Sequence, residues 1–169
     1  DVVGWLPPRR ARSNKGSYGR VTIVAGSRNY IGAARLAIES AARMGAGLIT
    51  LATPEDVYQL IAPSFADAIY IPLGDGEAHD ELMSSIGRAH AMLIGPGLSQ
   101  SEAAEVLVHD VLSSSGKRLP PTVLDADCLN LLAQKPSWFK EVPDRTIITP
   151  HPGEFSRLTG MSISEIPED

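Results

Sequence analysis

Lys15-Gly-Ser-Tyr-Gly-Arg-Val-Thr-Ile-Val-Ala-Gly-Ser-Arg-Asn-Tyr-Ile-Gly-Ala-Ala34 runs through a helical pattern into Gly45-Ala-Gly-Leu-Ile-Thr-Leu-Ala-Thr-Pro54, and this stretch sets the fold. Val21 to Val24 is a short β-branched run, which suits a strand. Ala25-Gly-Ser27 lets the chain leave that strand sharply, because glycine pays no Cβ penalty at unusual dihedrals, and a ligand can approach such a turn closely. Ala34, Ile38, Ala41 and Gly45 then recur at helical spacing, while Arg35, Glu39 and Arg43 recur four apart on another face. One side of this helix is expected to be buried and the other solvated. Gly45-Ala-Gly47 ends it, and Leu48 to Ala52 supplies the second strand of a βαβ unit.

The same alternation continues outward. Residues 1–20, rich in Pro, Arg, Ser and Gly, read as an extended lead-in that Trp5 and Leu6 would dock, with the folded unit over 21–169. Pro54-Glu-Asp56 suits the first turn of a short helix to about Ala62, which Pro63 stops. Ala68 to Ile71 is a strand, Gly74-Asp-Gly76 a turn, and Glu81 to Arg88 a weakly patterned helix. Ala91 to Ile94 is an apolar strand running into Gly95-Pro-Gly-Leu-Ser99. Ser99 and Glu102 have the spacing of a capping box, and the helix after them buries Ala104, Leu107, Val108, Val111 and Leu112 before leaving through Ser113 to Gly116. Thr122 to Leu124 is a strand ending in Asp125-Ala-Asp127. Asp127 is expected to cap a helix carrying Leu129, Leu132 and Ala133, closed by Lys135-Pro136. Thr146 to Thr149 is the last strand, and Pro150-His-Pro-Gly-Glu-Phe155 opens a helix with Pro152 near its first position and Gly160 at its end. Strands alternating with helices predict an α/β protein with a mostly parallel sheet covered on both faces.

Composition limits the function classes. With 169 residues, 43% of them apolar, the chain can bury one sizeable core. Fifteen basic against 20 acidic residues give a net charge of −5, and beyond Arg9, Arg10 and Arg12 there is no basic block, which disfavours nucleic acid. A single cysteine, Cys128, leaves no disulfide framework and no zinc spacing and is expected to be packed and inert in a reducing, cytoplasmic setting. No apolar run reaches membrane-spanning length.

Ligands of open parallel sheets bind beyond the carboxyl ends of the strands, where the turns at Gly26-Ser27, Gly95 to Gly97, Asp125 to Asp127 and Pro150 to Glu154 all fall. Each also has a plain explanation. No Gly-x-Gly-x-x-Gly or Walker pattern is present, so Gly26 alone reads more simply as a tight connection. Gly95 to Gly97 divides evenly between that and ligand contact. Asp125 is the more suspicious acid of its pair, because a carboxylate directly after a buried strand is costly without a partner. His151, held between two prolines, is equally a ligand contact or a helix cap, whereas His79, His90 and His109 have no comparable setting and His109 reads as a surface partner of Glu105. Lys15-Gly16 could hold a phosphate, though an exposed loop lysine usually has no such role.

Taken in order, Lys15-Gly-Ser-Tyr-Gly19, Ala25-Gly-Ser27 with Tyr30-Ile-Gly-Ala-Ala34, Gly45-Ala-Gly-Leu48, Gly95-Pro-Gly-Leu98, Asp125-Ala-Asp127 with Leu129-Asn130, and Thr149-Pro-His-Pro-Gly-Glu-Phe155 resemble the signatures of the ADP- or ATP-dependent NAD(P)H-hydrate dehydratases, a branch of the ribokinase-like fold. The resemblance implies a lyase that repairs damaged nicotinamide cofactor. It removes the hydroxyl of hydrated NADH or NADPH, with hydrolysis of ADP or ATP in the presence of Mg2+ driving the dehydration through a phosphorylated intermediate. It implies that Gly32, Ala33, Ala34, Gly95, Gly97 and His151 contact the hydrated NAD(P)H, and that Asp125, Asn130 and Glu154 line the adjoining pocket towards the nucleotide phosphates and magnesium. No residue of this chain is itself assigned as a metal ligand.

The family's domain continues for roughly another hundred residues, with a further Lys-Gly segment and a Gly-x-Gly-Asp motif whose aspartate is the catalytic base. Neither occurs between residue 1 and Asp169. The chain is therefore expected to be an incomplete ribokinase-like domain, truncated at its C-terminus, inactive or severely impaired on its own, and left with an open sheet edge that favours homo-oligomer contacts. Asn14, where the family usually has His, and Ser99, where it usually has Gly, are minor departures. The competing expectations are another ribokinase-like small-molecule kinase and a non-catalytic nucleotide-binding module.

Overall fold

The computed structural model describes residues 12, 14–74, 76–113, 119–140 and 142–166. The docking of Trp5 and Leu6, the turn through residue 75 and the helix exit over 114–116 lie outside the described residues. Six strands, Arg20–Val24 (β1), Leu48–Pro54 (β2), Ala68–Leu73 (β3), Ala91–Ile94 (β4), Thr122–Leu124 (β5) and Thr146–Ile148 (β6), form one sheet in the order β3-β2-β1-β4-β5-β6. Every pairing is parallel. The expectation of a mostly parallel sheet thus holds for all described strands, and all carboxyl ends lie on one edge.

Alternating side chains divide between two apolar layers. Ile23, Ile49 and Leu51 pack against Ile31–Arg43 (α1) and Glu55–Ile61 (α2), through Ala34, Ile38, Val57 and Ile61. Val24, Ala52, Ile71, Met92, Ile94 and Leu124 face the other way, under Gly76–Arg88 (α3), Glu102–Ser113 (α4), Asp127–Leu132 (α5) and Pro152–Thr159 (α6). On the wet face of α1, Arg35 donates to Glu39 at 2.7 Å and Arg43 approaches it at 3.9 Å, and the bond from Arg35 holds the Glu39 carboxyl below its ordinary range. Lys15–Tyr18 is a single 3-10 turn at the amino ends of the strands, where Gly47 and Leu48 donate to Tyr18 and Gly19, so Lys15 lies on the edge opposite the carboxyl-end turns.

Several local expectations are corrected. Pro54 ends β2 and sits before α2 rather than inside its first turn. The third helix begins at Gly76, five residues early, because Ala78, Leu82, Ser85 and Ile86 complete a buried stripe that the polar residues between them obscure. Ser99 does not start α4: its φ of 67° is left-handed, and Ser101 Oγ accepts from Ala104 N instead. Asp127 is the first residue of α5, with no side-chain cap at that end, and α5 stops at Leu132 before Lys135 is reached. His109 meets Ser113 and Asp110 rather than Glu105.

Candidate functional site

The four carboxyl-end turns are tied together in sheet order by direct contacts. Gly26 N donates to Pro96 O at 2.8 Å, joining the turn after β1 to the one after β4. That turn closes on itself through Leu98 N to Gly95 O and is held to the next by Asp125 N to Ile94 O and by Ser99 N to Asp127 Oδ2, at 2.9 Å. Thr149 Oγ1 donates to Asp125 Oδ1 at 2.8 Å and brings in the turn after β6. Asp125, which needs a partner beyond a buried strand, has one, and Asp127 holds a neighbouring turn instead of capping its own helix.

Glycines make this proximity possible. Gly95 has φ 132°, and a Cβ there would lie 1.8 Å from the Asp125 carbonyl oxygen. Gly97 has φ 66°, and a Cβ would meet Cβ of both Ala33 and Tyr30 at 2.7 Å. The start of α1 and the Gly95 to Gly97 turn, expected to be two walls of one site, therefore press on each other. Of the three α1 residues assigned to substrate, Gly32 is exposed, Ala33 half-buried against Gly97, and Ala34 sealed in the core beneath Gly26. Cys128 lies beneath Gly95, and burial, with a lesser contribution from Asp125, pushes its thiol up to about 12. It is packed as expected.

His151 is a helix cap. Its Nδ1 accepts from Gly153 N at 3.0 Å, and buried Glu154 reaches back to His151 N at 3.1 Å, a reciprocal capping box. His151 Nε2 lies 3.1 Å from Glu154 Oε1, so both ring nitrogens are engaged while the side chain remains 61% exposed. The sequence carried the signal, a cap-type residue followed three positions later by Glu. Asn130 bridges Asp127 and Arg157, accepting from Arg157 Nε at 2.8 Å. Asp125, Asn130 and Glu154 thus sit at the β5 and β6 end of the edge, each already paired within the chain. Among the described residues no group of three His, Cys, Asp or Glu could hold a metal ion.

Beside the Gly95 to Gly97 turn a cavity of about 370 Å³ opens between α3 and α4, lined by Ser27, Leu73, His79, Leu98 and Ser99 among others. Gly26 and Ser27, one of the four turns singled out from sequence, line it, whereas none of the residues assigned to substrate or nucleotide by resemblance does. His79, which in the sequence has no setting comparable to that of His151, is carried to this lining by the early start of α3 at Gly76, just after β3 ends on the carboxyl edge at Leu73.

A parallel sheet in this order, with helices on both faces and linked turns along its carboxyl edge, defines a doubly wound α/β protein, and its likeness to solved structures places it in the ribokinase-like class. A ribokinase-like superfamily protein from Enterococcus faecalis superposes with a TM-score of 0.83 at 25% identity, over 96% of this chain and 56% of that one. The family model described as NAD(P)H-hydrate dehydratase matches residues 21–168, and the chain belongs to that family. It is 41% identical to the bifunctional NAD(P)H-hydrate repair enzyme Nnr of Coxiella burnetii, over 99% of this chain and 32% of the relative. It is 40% identical to the ADP-dependent (S)-NAD(P)H-hydrate dehydratase of Bacillus subtilis, over 98% of this chain and 56% of that protein. The Bacillus subtilis ADP/ATP-dependent enzyme co-crystallised with ATP/Mg2+ superposes with a TM-score of 0.72 at 36% identity, covering 95% of this chain and 54% of that one. The chain thus spans about a third to little more than half the length of these proteins. No helix among the described residues is long and apolar enough to cross a membrane.

Proposed function

We propose that this chain forms the substrate-facing part of an enzyme that dehydrates hydrated NADH or NADPH, driven by ADP or ATP with Mg2+, in the cytoplasm. The linked row of turns from Gly26 through Gly95 to Gly97, Asp125 and Thr149 carries the reading, since it joins the carboxyl-end turns into one continuous edge, where ligands of parallel sheets bind. Family membership supports hydrated NAD(P)H as that ligand. Gly32, Ala33 and the Gly95 to Gly97 turn offer backbone. Ala34 acts only by supporting Gly26, and His151 offers the face of its ring, because its nitrogens are occupied by the start of α6. Asp125, Asn130 and Glu154 shape the other end of the edge. The nucleotide, when bound, supplies the phosphoryl group that makes the hydroxyl a better leaving group.

Binding tests the proposal without requiring the Gly-x-Gly-Asp base. Titration with NADPH, followed by nicotinamide fluorescence, is expected to show saturable binding. His151→Asn keeps a side-chain acceptor at the cap while removing the ring. It is expected to weaken NADPH binding about fivefold or more, with a modest fall in thermal stability from the lost Nε2 contact to Glu154. Binding by the Asn variant equal to the parent reduces His151 to a cap, and absence of NADPH binding by the parent overturns the proposal.

A further inference from the structure

We propose that the cavity between α3 and α4 binds a flat, uncharged heteroaromatic ring, supplied by the adenine or the nicotinamide end of a dinucleotide. The inference rests on the reading of the Gly95 to Gly97 turn as a dinucleotide contact, since the cavity borders that turn. Its volume of about 370 Å³ falls within the range of small-ligand sites, roughly 300 to 1,000 Å³. Pro54, Leu73, Leu98 and Leu107 give it apolar walls, and among the described residues no Lys, Arg, Asp or Glu lines it. A phosphate would find no counter-charge inside, whereas a neutral ring would exchange water for apolar contact on both faces.

Such a ring also has a polar edge, and unused hydroxyls stand in the wall beside the cavity. Ser27 lines the cavity, and its Oγ, closed off from solvent, has no hydrogen-bond partner. Thr53 Oγ1, 3.0 Å from where a Cβ on Gly26 would stand, is buried and unpartnered too. A buried hydroxyl without a partner is costly, and two on either side of one glycine at a ligand edge are polar capacity that folding does not use. Rotation about a single χ1 redirects the Ser27 hydroxyl at small cost. His79 and Ser99 add an imidazole and a hydroxyl to the lining.

The experiment compares the chain with Ala103→Trp, which fills the cavity from an exposed position of α4, and with Ser27→Ala. Adenosine and nicotinamide, both uncharged, are titrated separately while backbone amide NMR signals are followed, and NADPH binding is measured alongside. Shifts at Ser27, His79 and Ser99 with one of the two probes are expected and identify which end enters. Ala103→Trp is expected to abolish them and to weaken NADPH binding at least tenfold. Ser27→Ala is expected to weaken the probe about fivefold while thermal stability stays level or rises. If neither probe moves these amides, or if Ala103→Trp responds as the parent does, the cavity is not a ring site. NADPH binding equally well to parent and Ala103→Trp removes the cavity and leaves the dinucleotide reading intact. A probe that enters the cavity in a protein unable to bind NADPH leaves the ring site standing and removes the dinucleotide.

Discussion

At Gly95 the contact that constrains the residue comes from the protein's own backbone. A methyl there would stand 1.8 Å from the Asp125 carbonyl oxygen at a φ of 132°, so neither side-chain motion nor a small shift relieves it. Gly95→Ala is expected to destabilise the fold by about 3 kcal/mol or more, measured by urea unfolding. Directly beneath, Cys128 gives a pH signature. Its thiol ionises near 12 in the folded chain against an ordinary 9.0, so the native state holds a proton that the unfolded state releases. The resulting stability is complete below pH 9 and is lost progressively as pH rises towards 12. Cys128→Ala is expected to flatten that alkaline slope, and iodoacetamide at neutral pH to leave the native thiol unmodified while labelling the unfolded chain.

Among the elements, the start of α4 separates what spacing predicts from what geometry permits. Spacing to Glu102 predicts Ser99 as the cap. Only Ser101 accepts from the helix, while Ser99 is drawn into a left-handed turn by the Asp127 carboxylate. Ser101→Ala is therefore expected to cost about 1 kcal/mol and Ser99→Ala close to nothing, in paired thermal melts. The strands of the opening βαβ unit, and Gly160 at the end of α6, were legible because each depends on local chemistry, a β-branched run or a residue free to turn left-handed. The parallel sheet followed from their alternation. What escaped the sequence depends on partners distant along the chain. Asp127 belongs to a turn 28 positions away, as its bond to Ser99 shows. His79 matters for the cavity wall it joins rather than for its neighbours. His151 was legible as a cap or a contact, and the capping half is visible in its bonds to Gly153 and Glu154.

Over the whole molecule, β6 is a terminal strand with Ile147 63% exposed on the face that α1 and α2 cover only as far as β4. An apolar side chain left exposed on a sheet face favours burial against another chain. Self-association is expected at high concentration, and Ile147→Lys is expected to suppress it in sedimentation velocity without lowering the melting temperature. A parent chain that stays monomeric under the same conditions removes that expectation. The strand order also has a kinetic consequence. Val21 pairs with Ile49 on one side and with Ala91 on the other, so β1 closes a short loop to β2 but a much longer one to β4. Loop entropy rises slowly with length, by about 0.6 kcal/mol per doubling, yet it must be met before that seam yields any contact. The two halves, β1 to β3 and β4 to β6, are expected to gain structure first and to zip together along the β1 and β4 seam last. In pulsed hydrogen exchange, the amides of His90 and Gly95, which donate across that seam to Arg20 and Val24, then acquire protection after those of Ala25 and Leu48.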